Sequence, residues 1–298
     1  EIGVRLVGSE MCIRDRIIQA LSQSGTFVAD DIGMRFQDNR QEQSFNAYIC
    51  QQIARLKRLG KIRTSETYTA AFRSFNGFMN DKEVLFNQIS ADLIAEYEAY
   101  LKGRGNSPNT ISFYMRVLKA VYNRAVEDGL TGQRHPFKSV YTGMEKTLKR
   151  AISLNDLKRI KGLDLSLKPN LDFARDMFLF CFYTRGMSFI DMAYLRKKDL
   201  QNGILSYRRR KTGQQLFIKW ERCMQEIVDK YPINETEYLL PIITKRNKDY
   251  RKQYTNELHR VNHLLKKIGK QLDLSIPLTM YVGRHSWASI AKSRNVPI

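Results

Sequence analysis

The hydrophobic residues between positions 41 and 130 recur with the period of an α-helix. Phe45, Ile49 and Ile53 are four residues apart, so they lie on one face of a helix. Three further stripes of this kind follow before Gly129. Because four helices joined by short loops are typical of a compact bundle, residues 41–130 are predicted to form a helical domain. We expect the aromatic residues of the stripes to fill its core.

End signals in the same region indicate where two of its helices begin and stop. Ser90 is placed to cap one helix, which Gly103 terminates. Ser107 is followed by a proline at the first helical position, where the missing N–H is not needed. This helix is predicted to stop at Gly129.

A different organisation follows a break in the helical period. Residues 131–149 are predicted to be a linker, and Ser153 begins a capping box that opens a second domain over residues 150–298. Within it, residues 203–219 change to the alternation of β-strands on either side of Lys211, which predicts a β-hairpin. The predicted fold class is therefore mainly α with a small β-sheet.

Both ends of the chain depart from this pattern. Residues 1–16 resemble a translated sequencing-adapter string, so we expect a foreign segment that takes no part in the fold. Residues 17–40 are predicted to be a partial N-terminal segment. The chain stops inside a helical pattern at Ile298, and we expect truncation at both ends.

The charge of the chain is strongly positive and unevenly distributed. The 298 residues contain 50 Lys and Arg against 30 Asp and Glu, a formal net charge of +20. Residues 1–149 carry +5 of this charge and residues 150–298 carry +15. So basic a domain indicates a polyanionic partner, of which nucleic acid is the commonest.

Cysteine use and hydropathy restrict the location of the protein. Cys12, Cys50, Cys181 and Cys223 are far apart and form no CxxC pair, which favours a reducing compartment and a cytoplasmic location. No apolar run reaches the roughly 18 residues of a membrane span, so membrane proteins are excluded.

Three basic features of the second domain are candidates for binding a phosphate. Arg185 stands at a corner between two predicted helices, Lys211 at the tip of the predicted hairpin, and Arg284 with His285 in the last predicted helix. Arginine binds phosphate oxygens bidentately, and a turn lysine is a mobile donor. Each feature alone also fits a solvated surface.

In this order, the three features resemble the tyrosine recombinase (phage integrase) family. The resemblance covers residues 41–298, and residues 185–195 and 207–213 are similar to integrases of Bacteroides-type mobile elements. It implies an N-terminal helical core-binding (SAM-like) bundle and an α+β catalytic domain, with residues 17–40 the remainder of an arm-type segment. It also implies cleavage and rejoining of DNA through a 3′-phosphotyrosyl intermediate, with no cofactor and no metal.

The resemblance assigns roles to four residues of the second domain. Arg284 becomes the second phosphate-binding arginine, and Lys211 the general acid that protonates the departing 5′-oxygen. Tyr281 stands where the family has a histidine, and tyrosine as a residue type, whose reference pKa is about 10, is a poor base near neutral pH. His285 is interpreted as a packing or orienting neighbour of Arg284.

The resemblance leaves several candidates for the first catalytic arginine. Alignment on Asp191 places the family's position at Ser188, which is itself a predicted N-cap. Arg185, three residues earlier, is the first candidate. The reserve candidates are Arg208, Arg209 and Arg210.

The family's nucleophilic tyrosine lies a few tens of residues beyond the second arginine. Only 14 residues follow Arg284, and none of them is tyrosine. The resemblance therefore implies that this chain binds DNA but does not cleave it.

The expected partner is double-stranded DNA, bound mainly through its backbone. The full-length protein is expected to act as a homotetramer on DNA, and this chain to be monomeric off DNA. The candidate DNA-binding residues are Arg208, Arg209 and Arg210 in the hairpin and Arg55, Lys57, Arg58, Lys61 and Arg63 in the bundle. His259 and His263 are four residues apart, but the segment from Leu258 to His263 contains no acidic third ligand, so both are interpreted as solvent-facing rather than metal-binding.

Two alternatives from other functional classes remain. One is a non-catalytic DNA-binding regulator or accessory protein. The other is a type IB topoisomerase-like enzyme, which relaxes DNA rather than joining sites.

Overall fold

The computed structural model describes residues 43–147, 150–231, 235–246 and 248–296. The predictions for residues 1–16 and 17–40 therefore concern segments outside the described residues. The chain divides into two compact units between Lys146 and Thr147.

The first unit is a helical bundle. Its α-helices are α1 (Phe45–Arg58), α2 (Ile62–Phe78), α3 (Ala91–Gly103) and α4 (Pro108–Glu127). The Ser90 hydroxyl accepts a hydrogen bond from the amide of Leu93, and the Ser107 hydroxyl accepts one from the amide of Thr110. Both predicted N-caps are confirmed.

Aromatic side chains form the core of this bundle. Phe45, Phe75, Phe86, Tyr97 and Tyr122 are all almost fully buried. Neighbouring rings meet edge-on, with 5.8 Å between the Phe45 and Phe75 centroids and 5.2 Å between Phe75 and Tyr97. Edge-on contact suits the ring quadrupoles and adds to the hydrophobic gain. The predicted aromatic core is thus confirmed.

Much of the predicted linker packs onto this bundle. Phe137 and Val140 are buried in its core. The Asn109 side chain donates to the carbonyl of Glu145 at 3.1 Å and accepts from its amide at 2.9 Å. Two apolar residues in a polar segment produce no periodic pattern, and for this reason the sequence predicts only a linker there.

The second unit is built around one buried helix. Its α-helices are α5 (Leu154–Lys161), α6 (Pro169–Tyr183), α7 (Phe189–Ala193), α8 (Arg222–Asp229), α9 (Tyr250–Gln271) and α10 (Met280–Ser293). Helix α6 is contacted by α5, α8, α9 and α10, which explains its nearly continuous apolar sequence. No helix in the described parts of the chain is long and apolar enough to cross a membrane.

A three-stranded antiparallel sheet completes this unit. Its strands are β1 (Leu200–Gln201), β2 (Ile204–Arg208) and β3 (Gln215–Lys219), in the order β1-β2-β3. Leu205 pairs with Ile218 and both are buried, and Tyr207 points to the same side. The predicted hairpin is confirmed, whereas β1 was not predicted because two residues carry no alternating pattern.

Candidate functional site

Arg185 lies in an unusual backbone conformation at the C-terminal end of α6. Its amide donates to the carbonyl of Phe182 at 3.1 Å, and the amide of Gly186 donates to Cys181 at 2.8 Å. This is the Schellman pattern, in which glycine usually occupies the left-handed position taken here by Arg185. Arg185 has φ +58°, which costs a residue with a side chain about 1–2 kcal/mol. The exposed arginine is held at the predicted corner at an energetic cost.

The next residue, Gly186, brings this corner against Arg284 of α10. A Cβ atom on Gly186 would lie 3.2 Å from both Cα and Cγ of Arg284 and 3.3 Å from its carbonyl oxygen. A side chain at this position would require Arg284 to shift by a few tenths of an ångström, and φ +73° adds strain for any residue other than glycine. The structure therefore brings the Arg185 corner and Arg284, 99 residues apart in sequence, to one place.

Strand β2 lies beside Arg284. Burial raises the pKa of the Tyr207 phenol to about 12, and the charge of Asp191 adds to the rise, whereas the guanidinium groups of Arg284 and Arg209 oppose it. Burial likewise raises the pKa of the Cys181 thiol to about 12, against the effect of Arg284. Both groups are neutral at physiological pH, so neither the phenol nor the thiol forms an ion pair with the half-buried Arg284.

Lys211 lies at the exposed tip of the β2–β3 hairpin. The loop is closed by two backbone hydrogen bonds, from Arg209 to Gln214 and from Gly213 to Arg209, each 2.8 Å long. Gly213 has φ +71°, a conformation that this turn requires and glycine adopts readily. The lysine is thus presented to solvent on a closed, well-defined loop.

Asp191 joins the corner region to this hairpin. Its carboxylate is 4% exposed, and it accepts hydrogen bonds from the Ser188 hydroxyl at 2.5 Å and from the amide of Arg210 at 3.0 Å. The Ser188 hydroxyl in turn accepts from the amide of Asp191, so Ser188 is the N-cap of α7 as predicted. One buried carboxylate therefore fixes both the start of α7 and the hairpin loop.

The three consecutive arginines of the hairpin have different surroundings. Arg208 is exposed on the outer side of β2, opposite Gln215. Arg209 is half-buried and close enough to Tyr207 to affect its pKa. The Arg210 guanidinium lies over the Tyr194 ring, 3.9 Å from its centroid. Together they line part of a cavity of about 490 Å³ between the hairpin and the segment after α7.

Tyr281 and His285 lie one turn apart on α10. Their ring centroids are 4.3 Å apart with an angle of 82° between the planes. Tyr281 is 65% exposed, so its hydroxyl is free to meet a large ligand. The two rings form a surface pair next to Arg284 in sequence.

The candidate basic residues of the first unit surround the turn between α1 and α2. Arg55, Lys57 and Arg58 occupy the last turn of α1, and Lys61 and Arg63 lie at the start of α2. All five are exposed. Arg63 is paired with Glu66 at 3.3 Å, which leaves less of its charge available to a ligand.

Metal-ligand clusters are not found in the described residues, where no group of three or more His, Cys, Asp or Glu side chains could hold an ion. His259 and His263 are exposed on α9, as predicted.

Sequence reasoning missed Tyr207, Tyr194 and the contact made by Gly186. The alternation of β2 contains a signal for Tyr207, because it shares a face with Leu205. The close approach of Gly186 has no local signal, since its partner is in a distant helix.

Comparison with known families identifies the first unit. Residues 44–148 match the phage integrase SAM-like domain. We therefore refer to the first unit as the SAM-like unit. A sequence comparison with curated proteins gives no significant match.

Solved structures resemble most of the chain. A lambda integrase dimer bound to a COC′ core site is 15% identical, with a TM-score of 0.67 over 93% of this chain and 78% of that chain. A lambda integrase tetramer bound to a Holliday junction is 16% identical, with a TM-score of 0.65 over 93% of this chain and 81% of that chain. The Tn1549 transposon integrase in complex with transposon right end DNA is 15% identical, with a TM-score of 0.60 over 86% of this chain and 88% of that chain.

At these identities the likeness concerns the fold. The chain has the fold of the core-binding and catalytic domains of tyrosine recombinases, mainly α with a small sheet, as predicted. The sequence match of the SAM-like unit agrees with this fold.

Proposed function

We propose that this chain is the DNA-binding and catalytic part of a site-specific recombinase, an integrase of a Bacteroides-type mobile element. The observation that carries the proposal is the packing of Gly186 against Arg284, because it brings the backbone next to Arg185 into contact with Arg284. The SAM-like match and the likeness to DNA-bound lambda and Tn1549 integrases support it. The ligand is double-stranded DNA, which also accounts for the net charge of +20.

In this proposal the two arginines hold the phosphodiester to be cleaved. Arg284 and Arg185 donate to its non-bridging oxygens and offset the negative charge that grows in the transition state. Lys211, on the mobile side chain at the hairpin tip, protonates the 5′-oxygen as it departs. The cationic side chains supply the charge, so the step requires no metal.

Arg209 is the alternative to Arg185 as the first arginine. It shares the surroundings of Tyr207 with Arg284, whereas Arg208 faces outward and Arg210 covers the Tyr194 ring. Among the three hairpin arginines, Arg209 is thus the one that we retain for a role at the phosphate.

The nucleophile of this proposal is a tyrosine that forms a 3′-phosphotyrosyl bond. Tyr281 and His285 flank the DNA rather than attack it, and residues 285–298 contain no tyrosine. We therefore expect these 298 residues to bind DNA without forming a covalent adduct on a nicked suicide substrate. A protein that carries such a tyrosine in addition to these residues should form the adduct, and its failure to do so would favour a DNA-binding regulator. Relaxation of supercoiled DNA without site-dependent products would favour a topoisomerase.

Replacing Arg284 by alanine is expected to weaken binding to a fluorescently labelled DNA duplex about tenfold or more, because a charge-assisted hydrogen bond contributes about 1.5–3 kcal/mol. Arg284→Lys restores only part of the loss, since an ammonium group lacks the planar fork. The matched control is Arg222→Ala, which removes the same charge from a side chain that is 92% exposed and paired with Glu226. Fluorescence anisotropy measures all three affinities. Equal losses for Arg284→Ala and Arg222→Ala would mean that Arg284 contributes to DNA binding only through the net charge of the chain.

The α1–α2 turn gives a second test of the DNA interface. Simultaneous replacement of Arg55, Lys57 and Arg58 by alanine is expected to lower affinity at every sequence tested. The slope of log affinity against log salt should fall by about 0.9 for each DNA phosphate that the variant no longer neutralises. Lys102→Ala is the control, because that ammonium is already paired with Glu98 at 2.8 Å. If the slope is unchanged in the triple variant, the basic residues of this turn do not contact DNA phosphates and are exposed to solvent instead.

A further inference from the structure

Arg210 differs from its neighbours in being tied to the rest of its unit at two points. Its guanidinium carbon is 3.9 Å from the centroid of the Tyr194 ring, well inside the roughly 6 Å range of a cation–π contact. Its backbone amide donates to the buried carboxylate of Asp191 at 3.0 Å. Side chain and backbone therefore both attach this residue to the segment around α7.

The Tyr194 ring, which Arg210 contacts, is held in place by its own packing. It is the C-cap of α7 and is half-buried. Its ring meets the rings of Tyr238 and Tyr254 edge-on, with centroids 5.5 and 5.8 Å apart. Because both partners belong to or pack on the main core of the unit, the Tyr194 ring has little freedom to move.

The remainder of the hairpin tip has few attachments. In the described parts of the chain, Lys211, Thr212 and Gly213 show no side-chain hydrogen bond, ion pair or ring contact, and all three are exposed. The backbone bonds that close the loop hold its shape but do not orient it against the helices. Lys211 directly follows Arg210, so its position relative to Arg284 depends on the attachment of Arg210.

We propose that the Arg210–Tyr194 pair is a positioning device that holds the hairpin tip where Lys211 meets the DNA. Arg210 then acts through Lys211 and is not itself a phosphate ligand, although the sequence groups it with the DNA-binding arginines. This inference rests on the proposed role of Lys211. In the absence of the pair, the loop keeps its internal hydrogen bonds and the bond from the Arg210 amide to Asp191, but the side-chain attachment to the Tyr194 ring is lost and the tip samples several orientations about that remaining bond.

The first experiment tests the device without reference to DNA. Hydrogen exchange is measured for the amides of residues 208–215 in Tyr194→Leu, Tyr194→Phe and the unchanged chain. A cation–π contact at an exposed site contributes about 0.5–1 kcal/mol, and Arg210 is exposed, so Tyr194→Leu should accelerate exchange of the Arg210 amide roughly 2- to 5-fold. Tyr194→Phe keeps the ring face and should stay close to the unchanged chain.

A second variant separates the device from damage to the core. Arg210→Ala removes the cation but leaves the three tyrosine rings in place, and it should accelerate exchange as Tyr194→Leu does. Unchanged exchange in Arg210→Ala would overturn the proposal, whatever the effect of Tyr194→Leu.

The third experiment is a double-mutant cycle on binding to a DNA duplex. Lys211→Ala is expected to weaken binding about fivefold in the unchanged chain, an effect within the range of a charged hydrogen bond that remains partly solvated. In the Tyr194→Leu background the same change should have less than about a twofold effect, because the lysine is no longer held at its partner. Arg55→Ala, in the other unit, is the control and should lower affinity by the same factor in both backgrounds.

The outcomes distinguish this inference from the proposed function. If Lys211→Ala has equal effects in both backgrounds, the positioning role is wrong and the proposed function stands. If Lys211→Ala has no effect in the unchanged chain, the assignment of Lys211 fails and the positioning role fails with it, even where exchange shows that the pair holds the loop.

Discussion

Gly186→Ala is expected to lower the free energy of unfolding of the second unit by about 3 kcal/mol. The left-handed backbone at φ +73° accounts for about 1–2 kcal/mol of this loss, and contact of the new methyl group with the Arg284 backbone accounts for the rest. Affinity for DNA should fall as well, since Arg284 must shift. Both tryptophans, Trp220 and Trp287, belong to this unit, so their fluorescence in a urea titration measures its stability.

The chain offers a matched control for this substitution. Gly203, in the turn between β1 and β2, has φ +72° and no atom within 4 Å of a built Cβ. Gly203→Ala therefore carries the backbone strain alone and should cost about 1 kcal/mol without a change in DNA affinity. Equal losses for the two substitutions would mean that the approach of Gly186 to Arg284 has no energetic weight.

Asp191→Ala is expected to destabilise the second unit by about 3 kcal/mol. Ser188 remains the N-cap of α7, but its hydroxyl loses its hydrogen bond to the carboxylate, which contributes about 1 kcal/mol. The Arg210 amide loses its acceptor at a half-buried place, which contributes about 2 kcal/mol more. The hairpin also loses a tie to α7, so the affinity of the chain for duplex DNA should decrease.

Asp156 provides the comparison, because it accepts a hydrogen bond from the hydroxyl of Ser153, the N-cap of α5, in the same arrangement. Its side chain is 28% exposed and accepts no hydrogen bond from the hairpin. Asp156→Ala should therefore cost about 1 kcal/mol and leave DNA binding unchanged. Tryptophan fluorescence during urea unfolding measures both variants. If the two losses are alike, Asp191 acts only as a helix cap.

The position of Arg185 shows how far a sequence motif can be interpreted in physical terms. The order of residues 184–186 predicts a corner, and the corner is present. The sequence does not reveal that arginine occupies the left-handed position of the Schellman motif, where glycine is usual. Strain retained at an exposed cationic residue agrees with a functional role, since such strain is concentrated at ligand sites.

The hairpin arginines show that the strand pattern predicts side-chain positions only within the strand itself. Along β2 Tyr207 is buried and Arg208 is exposed, which follows from the alternation of side chains along a strand. Beyond the end of the strand the alternation no longer applies. The half-buried place of Arg209 and the contact of Arg210 with Tyr194 follow from packing against α7 and were not predictable from sequence.

Local signals determined most of the secondary structure of this protein. Ser90, Ser107, Ser153 and Ser188 each cap a helix because the hydroxyl and the amide that it binds are within three residues of each other. The same holds for the hairpin turn at Gly213 and for the amphipathic stripes, whose period a single segment contains.

Tertiary structure alone decided which of these elements meet. Gly186 approaches Arg284 across 98 residues of sequence, and Phe137 and Val140 join the SAM-like core from a segment without a pattern. Such contacts depend on the shapes of two surfaces that are far apart in the chain. The sequence of either surface alone does not indicate which other surface it will contact. The basic residues were therefore predictable one at a time, whereas their arrangement around one corner required the folded chain.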